Sequence, residues 1–412
     1  MRILHTSDWH LGRTLEGRSR LPEQEAFLAE LCDIADDTDA RLILVAGDIF
    51  DTVNPPAAAE ELFYEAVSRL GADGRRLVLI IAGNHDNPER LCAAAPLAGK
   101  QGILLLGKPG EVPMLTLPAE TADAVRLLGS GPGWCDLQLG DERVQVVALP
   151  YPSEARLDAA LVDGVETESE LQAAYSDRVR QMLAQGASRY ATDAIRLGIS
   201  HLFVTGGVES DSERPIQVGG AFTVSPRAFP AEAQYVALGH LHKAQQVRSA
   251  PGHVRYSGTP LAYSFSEAGQ AKSVTLLEAT PSAFTTKEIL LSAGKPLVRW
   301  RATEGPAQVE EWCNEGRDSN AWVDLEIHLH TSLSLEETAR LKRMHPGLVS
   351  IRPVFAAQTE LAVAADERAG LPIDELFVLF YQQRNAGAQP ADETVRLFLE
   401  LLHKAQESDD TA

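Results

Sequence analysis

The most constraining feature of this chain is a short apolar run followed at once by a cluster of metal-ligand side chains, three times over. Arg2 to Thr6 ends at Asp8-Trp9-His10, Arg41 to Ala46 ends at Gly47-Asp48, and Leu77 to Ile81 ends at Gly83-Asn84-His85-Asp86. Each run has the length and continuous apolarity of a strand buried on both faces. Between them, Pro22 to Asp36 and Pro55 to Leu70 have helical length. Phe27, Leu28, Leu31 and Ile34 fall on one face of the first, and Leu62, Phe63, Ala66, Val67 and Leu70 on one face of the second. This βαβ rhythm calls for a parallel sheet and sets the polar clusters at the carboxyl ends of neighbouring strands, where open α/β sheets carry their sites.

Further along, Val144 to Leu149 reads as another strand and residues 166 to 186 as an acidic helix, followed by strand-like Tyr235 to Leu238, Val254 to Ser257 and Ser273 to Leu277. From about Pro296 the pattern becomes that of a small α+β domain: Val298 to Arg301, a helix near Val309 to Cys313, Val323 to Leu329, a helix near Leu335 to Met344, and Val349 to Pro353. Ile373 to Arg384 and Ala391 to Ala405 have the spacing of two amphipathic helices separated by Asn385-Ala386-Gly387, and Ser408 to Ala412 reads as a disordered end. A chain of 412 residues at roughly 150 per domain gives about 2.7 domains, in keeping with this division.

The chemistry lies in four clusters: Asp8-x-His10, Gly47-Asp48, Gly83-Asn84-His85-Asp86 and Gly239-His240-Leu241-His242. Carboxylate, amide oxygen and imidazole form a ligand set suited to Mn, Fe or Zn rather than to a thiolate zinc site. Each cluster alone is weak, since an HxH pair is most often two histidines on a loop and GNHD can cap a turn. Four together, all at strand ends, point to a metal centre. His328 and His330 have no acidic companions and read as surface or packing residues.

The clusters DWH, GD, GNHD and GHLH resemble those of the calcineurin-like metallophosphoesterases. The longer stretches LHTSDWHLGRTL, LVAGDIFDTVNPP, IIAGNHDNPERL, GGVESDSERP, YVALGHLHKAQQV and YSGTPLAYSFSEAG are similar to the Mre11-like branch, to which bacterial SbcD nuclease subunits belong. The similarity is strong from residue 1 to about 280 and follows length and layout beyond. It implies an α/β fold: a two-sheet metallophosphoesterase sandwich over residues 1–285 and a small α+β DNA-capping domain over 286–360, followed by carboxyl-terminal helices over 361–412 that either pack on their own domain or, in the reading adopted, dock a partner. It also implies two divalent ions, Mn2+ foremost. Asp8, His10, Asp48 and His242 would hold one; Asp48, Asn84, His201 and His240 would hold the other, with Asp48 bridging. His201 enters through HLFVTGG, although Gly198 and Ser200 interrupt the strand before it. His85 would contact the phosphate and assist the leaving 3′ oxygen, and Asp86 would orient a neighbouring imidazole.

The activity so implied is that of a DNA phosphodiesterase, a 3′→5′ exonuclease on duplex ends and an endonuclease on single strands or hairpins. The implied partners are a second copy of the chain, through the Pro22 to Asp36 and Pro55 to Leu70 helices, and an SMC-like ATPase, SbcC. No GxxxxGK[ST] sequence occurs, so ATP dependence would enter through that ATPase. Arg13, Arg18 and Arg20, and also Lys243 and Arg248, stand where they could meet DNA phosphates or remain solvated or salt-bridged. Lys plus Arg is 37 against 58 for Asp plus Glu, a net charge of −21 and the reverse of a free-standing nucleic-acid binder. Bound cations would have to change that sign locally. A general metallophosphatase acting on nucleotides or phosphomonoesters, and a noncatalytic scaffold for the ATPase, are the alternatives. Four dispersed cysteines, no apolar stretch of eighteen, and an opening without the apolar core of a signal peptide lead to the expectation of a cytoplasmic protein, nucleoid-associated when on DNA.

Overall fold

The computed structural model describes residues 1–117, 124–153, 156, 167–213, 222–330, 332–355, 373–384, 390 and 394–398. In chain order, β1 (Arg2–Thr6), β2 (Thr14–Leu15), β3 (Arg18–Ser19), α1 (Leu21–Asp37), β4 (Leu42–Ala46), α2 (Ala57–Gly71), β5 (Leu77–Ile81) and β6 (Ile103–Leu106) form the first half of the sandwich. There follow β7 (Val125–Gly131), β8 (Trp134–Leu139), β9 (Glu142–Leu149), α3 (Glu168–Ala187), β10 (Ile195–His201), β11 (Tyr235–Gly239), β12 (Gln245–Gln246), β13 (His253–Tyr256), β14 (Ser273–Ala279) and β15 (Phe284–Leu290). One sheet runs β15-β14-β1-β4-β5-β6 and the other β12-β13-β11-β10-β9-β8-β7. Strands β1, β4, β5 and β6 are parallel, as are β9, β10, β11 and β13.

The continuous apolar runs follow from burial on both faces. In β4, Leu42, Leu44 and Ala46 enter the core between the sheets, where they meet Val146, Leu197, Ile199 and Ala237; Ile43 and Val45 face the opposite way, toward Phe27, Leu31 and Phe63 of α1 and α2. The outer face of the second sheet is covered by α3 through Tyr175, Val179 and Leu183. Helix α2 begins at Ala57 rather than Pro55, because Pro56 sits extended at the cap with φ −65° and ψ 147°, the conformation that proline also favours in the residue before it. Thr167 and Glu170 close a capping box at the start of α3.

Two compact units divide the chain. The first holds Met1–Trp300, Gly316–Asp324 and His345–Ser350; the second holds Arg301–Glu315, Leu325–Met344 and Ile351–Ala412. The domain limit expected at 285/286 falls within β15, which pairs with β14 from Ser273↔Leu290 to Ala279↔Phe284. Strands β16 (Leu297–Ala302), β17 (Trp322–Leu329) and β18 (Leu348–Phe355), with helices α4 (Pro306–Asn314) and α5 (Leu335–Met344), supply the small α+β part. Helix α6 (Ile373–Arg384) has the limits expected for it; the Asn385-Ala386-Gly387 break, most of the next helix and the Ser408 to Ala412 end lie outside the described residues. Among the described residues no helix is long and apolar enough to cross a membrane.

Leu44 is fully buried between the sheets. Leu44→Ala is expected to cost about 2–5 kcal/mol in urea unfolding, and a loss below about 1 kcal/mol would contradict a tightly packed interlayer.

Candidate metal centre

The carboxyl ends of β1, β4, β5, β10 and β11 meet at one edge of the sandwich. Pairing sets Thr6 beside Val45, Ala46 beside Ile81, and His201 beside Gly239, so every expected ligand leaves its sheet at the same level. The backbone there is contorted. Asp8, His10, Asp48 and His240 all have positive φ, at 54°, 46°, 52° and 108°; non-glycine residues hold such conformations at a cost of about 1–3 kcal/mol each, typically at functional sites. A Cβ at Gly83 would collide with the Asp48 carboxylate, and one at Gly239 with the Ala46 carbonyl and His201.

Two triads result, Asp8–His10–His242 and Asp48–His201–His240, all six residues buried and each triad with its ligand atoms within 4.8 Å of one another. Nε2 of His10 and Nε2 of His242 face each other at 3.1 Å. At least one lone pair is therefore directed into the centre beside the Asp8 carboxyl. His201 donates its Nδ1 proton to the Ala46 carbonyl at 2.8 Å, which leaves Nε2 directed at Asn84 Oδ1 at 2.8 Å and Asp48 Oδ2 at 3.4 Å. His240 Nδ1 lies 3.0 Å from the same amide oxygen. Imidazole nitrogens and oxygens converging in a buried pocket need a proton or a cation between them, and the oxygen and imidazole set fits divalent ions.

Asp48 stands between the triads: Oδ2 is 3.8 Å from His10 Nε2 and 3.4 Å from His201 Nε2, while Oδ1 accepts the His85 amide at 2.9 Å. Electrostatics follow from this crowding. Burial opposes ionisation of Asp48, but His201, His85 and His10 overcome it and hold the carboxyl well below the usual range. Burial likewise opposes a charge on His201, yet Asp48 raises it to about 9. Burial, with the His201 charge, pushes His240 down to about 3. Asp8 is pushed up to about 8 by burial and the nearby Asp48 charge. A proton thus occupies a place that a metal ion would fill.

His85 stands at the rim of the pair. Its Nδ1 donates to the Asp51 carbonyl at 2.8 Å, which turns Nε2 toward Asp48 Oδ2, 3.9 Å away. The ring lies edge-on to His10 with centroids 4.7 Å apart. Asp86 holds backbone rather than an imidazole: its carboxylate accepts the amides of Ile49, Phe50 and Gly83 at 3.2, 3.0 and 2.8 Å. Of the arginines, Arg20 is fully buried, doubly bonded to Glu23 and bonded to the Ala262 carbonyl, which removes it from any surface role. Arg13 is tied to the Ser212 carbonyl at 2.8 Å, while Arg18, Lys243 and Arg248 are exposed. His328 ends near Glu326, at 3.5 Å.

Several functional neighbours escaped the sequence reading. Asp51 joins His10 and His85 in a third group of possible ligands, and its place three residues after Asp48 was the one available signal. Arg156 clamps the GNHD turn through the Gly83 and Asp86 carbonyls at 2.8 and 2.7 Å. Gln24 and Tyr263 hold the DWH turn through the His10 and Trp9 carbonyls. Nothing in spacing points to these long-range contacts.

Fold and site together define a metallophosphoesterase sandwich with a dinuclear-type ligand cluster, and residues 1–123 match the family model of the calcineurin-like phosphoesterases. The chain is 50% identical to SbcD, the nuclease SbcCD component of that name, from Bacillus subtilis, over 99% of this chain and 100% of that protein. It is 38% identical to SbcD of Rhodobacter capsulatus, over 76% of this chain and 74% of that one, and 30% identical to SbcD of Escherichia coli K12, over 99% and 95%. The chain belongs to the SbcD family.

Because a cation must displace the protons on His201 and Asp8, apparent metal affinity should rise with pH and level off once both have been lost, above about 9. Calorimetry in buffers of different ionisation enthalpy should show proton release at pH 7 that fades toward pH 10. Affinity independent of pH over this range would contradict the charge assignment.

Proposed function

We propose that this chain is a metal-dependent DNA phosphodiesterase, acting 3′→5′ on duplex ends and endonucleolytically on single-stranded or hairpin DNA, as the nuclease component beside an SMC-like SbcC ATPase. The observation that carries this reading is His85: its ring is fixed by the Asp51 carbonyl, and its Nε2 is turned to the edge of the two triads. In this reading Asp8, His10, Asp48 and His242 hold one ion, and Asp48, Asn84, His201 and His240 the second, with Asp48 shared. Two divalent cations, Mn2+ in the reading adopted, would supply neutralisation of phosphate oxygens and an acidified water.

The chain's own residues do the rest. The histidines and carboxylates fix where the phosphate must lie, and the crowded, largely buried pocket around them limits bulk water. His85 Nε2 donates to the leaving 3′ oxygen, and the positive ring that this requires is attended by Asp48 Oδ2 at 3.9 Å and Asp51 Oδ1 at 4.0 Å. The net charge of −21 leaves attraction for DNA to the bound cations and to the partners. Helices α1 and α2 are the proposed contact with a second copy, and residues 286–360 the DNA-capping part. The ATPase dock is assigned to α6 and the segment after it, where Leu379, Phe380 and Leu397 are exposed and Phe377 stacks on Phe398 at 4.1 Å. Deleting residues 373–412 should abolish binding of SbcC; unchanged affinity would contradict the placement.

End-labelled linear duplex with Mn2+ tests the activity. Wild type should ladder DNA from its 3′ ends, and His85→Gln should keep two bound metals while losing about 10²–10⁴-fold in rate. Faster turnover of a small phosphomonoester than of DNA would favour the phosphatase reading, and loss of metal in His85→Gln would overturn the role given to that residue.

A further inference from the structure

Two stretches in the first unit are absorbed by neither ligand set: the loop Ser210-Asp211-Ser212-Glu213, and the Ser264 to Lys272 segment following β13. Both converge on His242. Ser212 Oγ lies 2.5 Å from His242 Nδ1 and 2.7 Å from Glu267 Oε1. Glu267 is buried, with Oε1 also accepting the Tyr263 and Ser264 amides, both at 3.1 Å, while Oε2 meets Lys272 Nζ and Thr259 Oγ1. The backbone of His242 is gripped at both ends. Its amide donates to Glu213 Oε1 at 2.8 Å, and its carbonyl accepts Lys272 Nζ at 3.2 Å.

Proton accounting gives this arrangement a direction. A carboxylate only accepts, so the single hydroxyl proton of Ser212 goes to Glu267. Ser212 Oγ must then accept from His242 Nδ1–H. That tautomer leaves the Nε2 lone pair facing His10 Nε2 and the first triad. In the other triad His201 is fixed instead through the Ala46 carbonyl, a backbone group that substitution cannot remove.

We propose that Ser212 and Glu267 are positioning residues: a carboxylate–hydroxyl–imidazole relay that sets the metal affinity of the Asp8–His10–His242 position without touching substrate. The proposal rests on the dinuclear reading above and adds to it that the two positions are tuned independently, the first through side chains on a loop distant in sequence. Loss of a hydrogen-bond partner behind a ligating histidine typically weakens metal binding about 10–100-fold.

The test is a Co2+ titration of the full-length protein, followed by its visible spectrum and by calorimetry, on wild type, Ser212→Ala, Glu267→Gln, His10→Ala and the His10→Ala/Ser212→Ala double variant. Wild type should bind two equivalents. Ser212→Ala should weaken one of them about 10–100-fold, alter the spectrum of that equivalent alone, and add nothing in the His10→Ala background. Glu267→Gln should do the same; if it fails to fold, Ser212→Ala alone decides. Wild-type affinity for both ions in Ser212→Ala, or equal weakening of the two, would overturn the relay while leaving the dinuclear reading intact. A wild type that binds fewer than two ions would overturn both.

Discussion

Asp48 is a carboxylate buried beneath three imidazoles at the seam between two sheets, and most of the architecture can be traced to the need to keep it there. An isolated ionised group at that depth would be strongly disfavoured. Here the charge is balanced by His201, His85 and His10, and one oxygen is bonded to the His85 amide. Gly83 supplies the space, since a Cβ there would overlap the carboxylate, and positive φ at Asp48 aims the side chain inward. The strain at Asp8, His10, Asp48 and His240 is held by a rigid surround: parallel strands with no exposed face, and helices closing over them.

The surround is itself layered. Asp86 collects the amides of the Asp48 turn, Arg156 clamps the turn containing Asn84 and His85, and Gln24 with Tyr263 fixes the one containing Asp8 and His10. Each holds backbone, so the ligand side chains emerge at set angles and are free to meet cations. His242 is held differently, through the side chains of Ser212 and Glu267, and the proposed adjustability of its position rests on that.

Much of this was legible in the sequence. Apolar runs ending in DWH, GD and GNHD specified strands buried on both faces and put the ligands at one edge, and GHLH gave the matching end of the second sheet. The limits of α6 followed from amphipathic spacing and the Asn385-Ala386-Gly387 break after it, and α5 has the span expected for it. The antiparallel edge strands β7 and β15 did not follow, because β7 is half-exposed, β15 is largely exposed, and their pairing is set only in the fold. Of the alternatives open for Arg20, the salt-bridged one holds: Glu23 and the Ala262 carbonyl bury it away from any phosphate. Glu267 lies 25 residues beyond His242 and 55 beyond Ser212, so only folding unites them. The same holds for Asp51, whose carbonyl rather than its carboxylate orients His85.

The central claim is that seven side chains converge to form two cation positions sharing Asp48. Anomalous diffraction at the manganese edge from crystals soaked in Mn2+ tests it most directly. Two peaks are predicted, one among Asp8, His10 and His242 and one among Asn84, His201 and His240, with the Asp48 carboxylate reaching both. A single peak, or a peak held by His10, Asp51 and His85 in place of the Asp8 position, would contradict it.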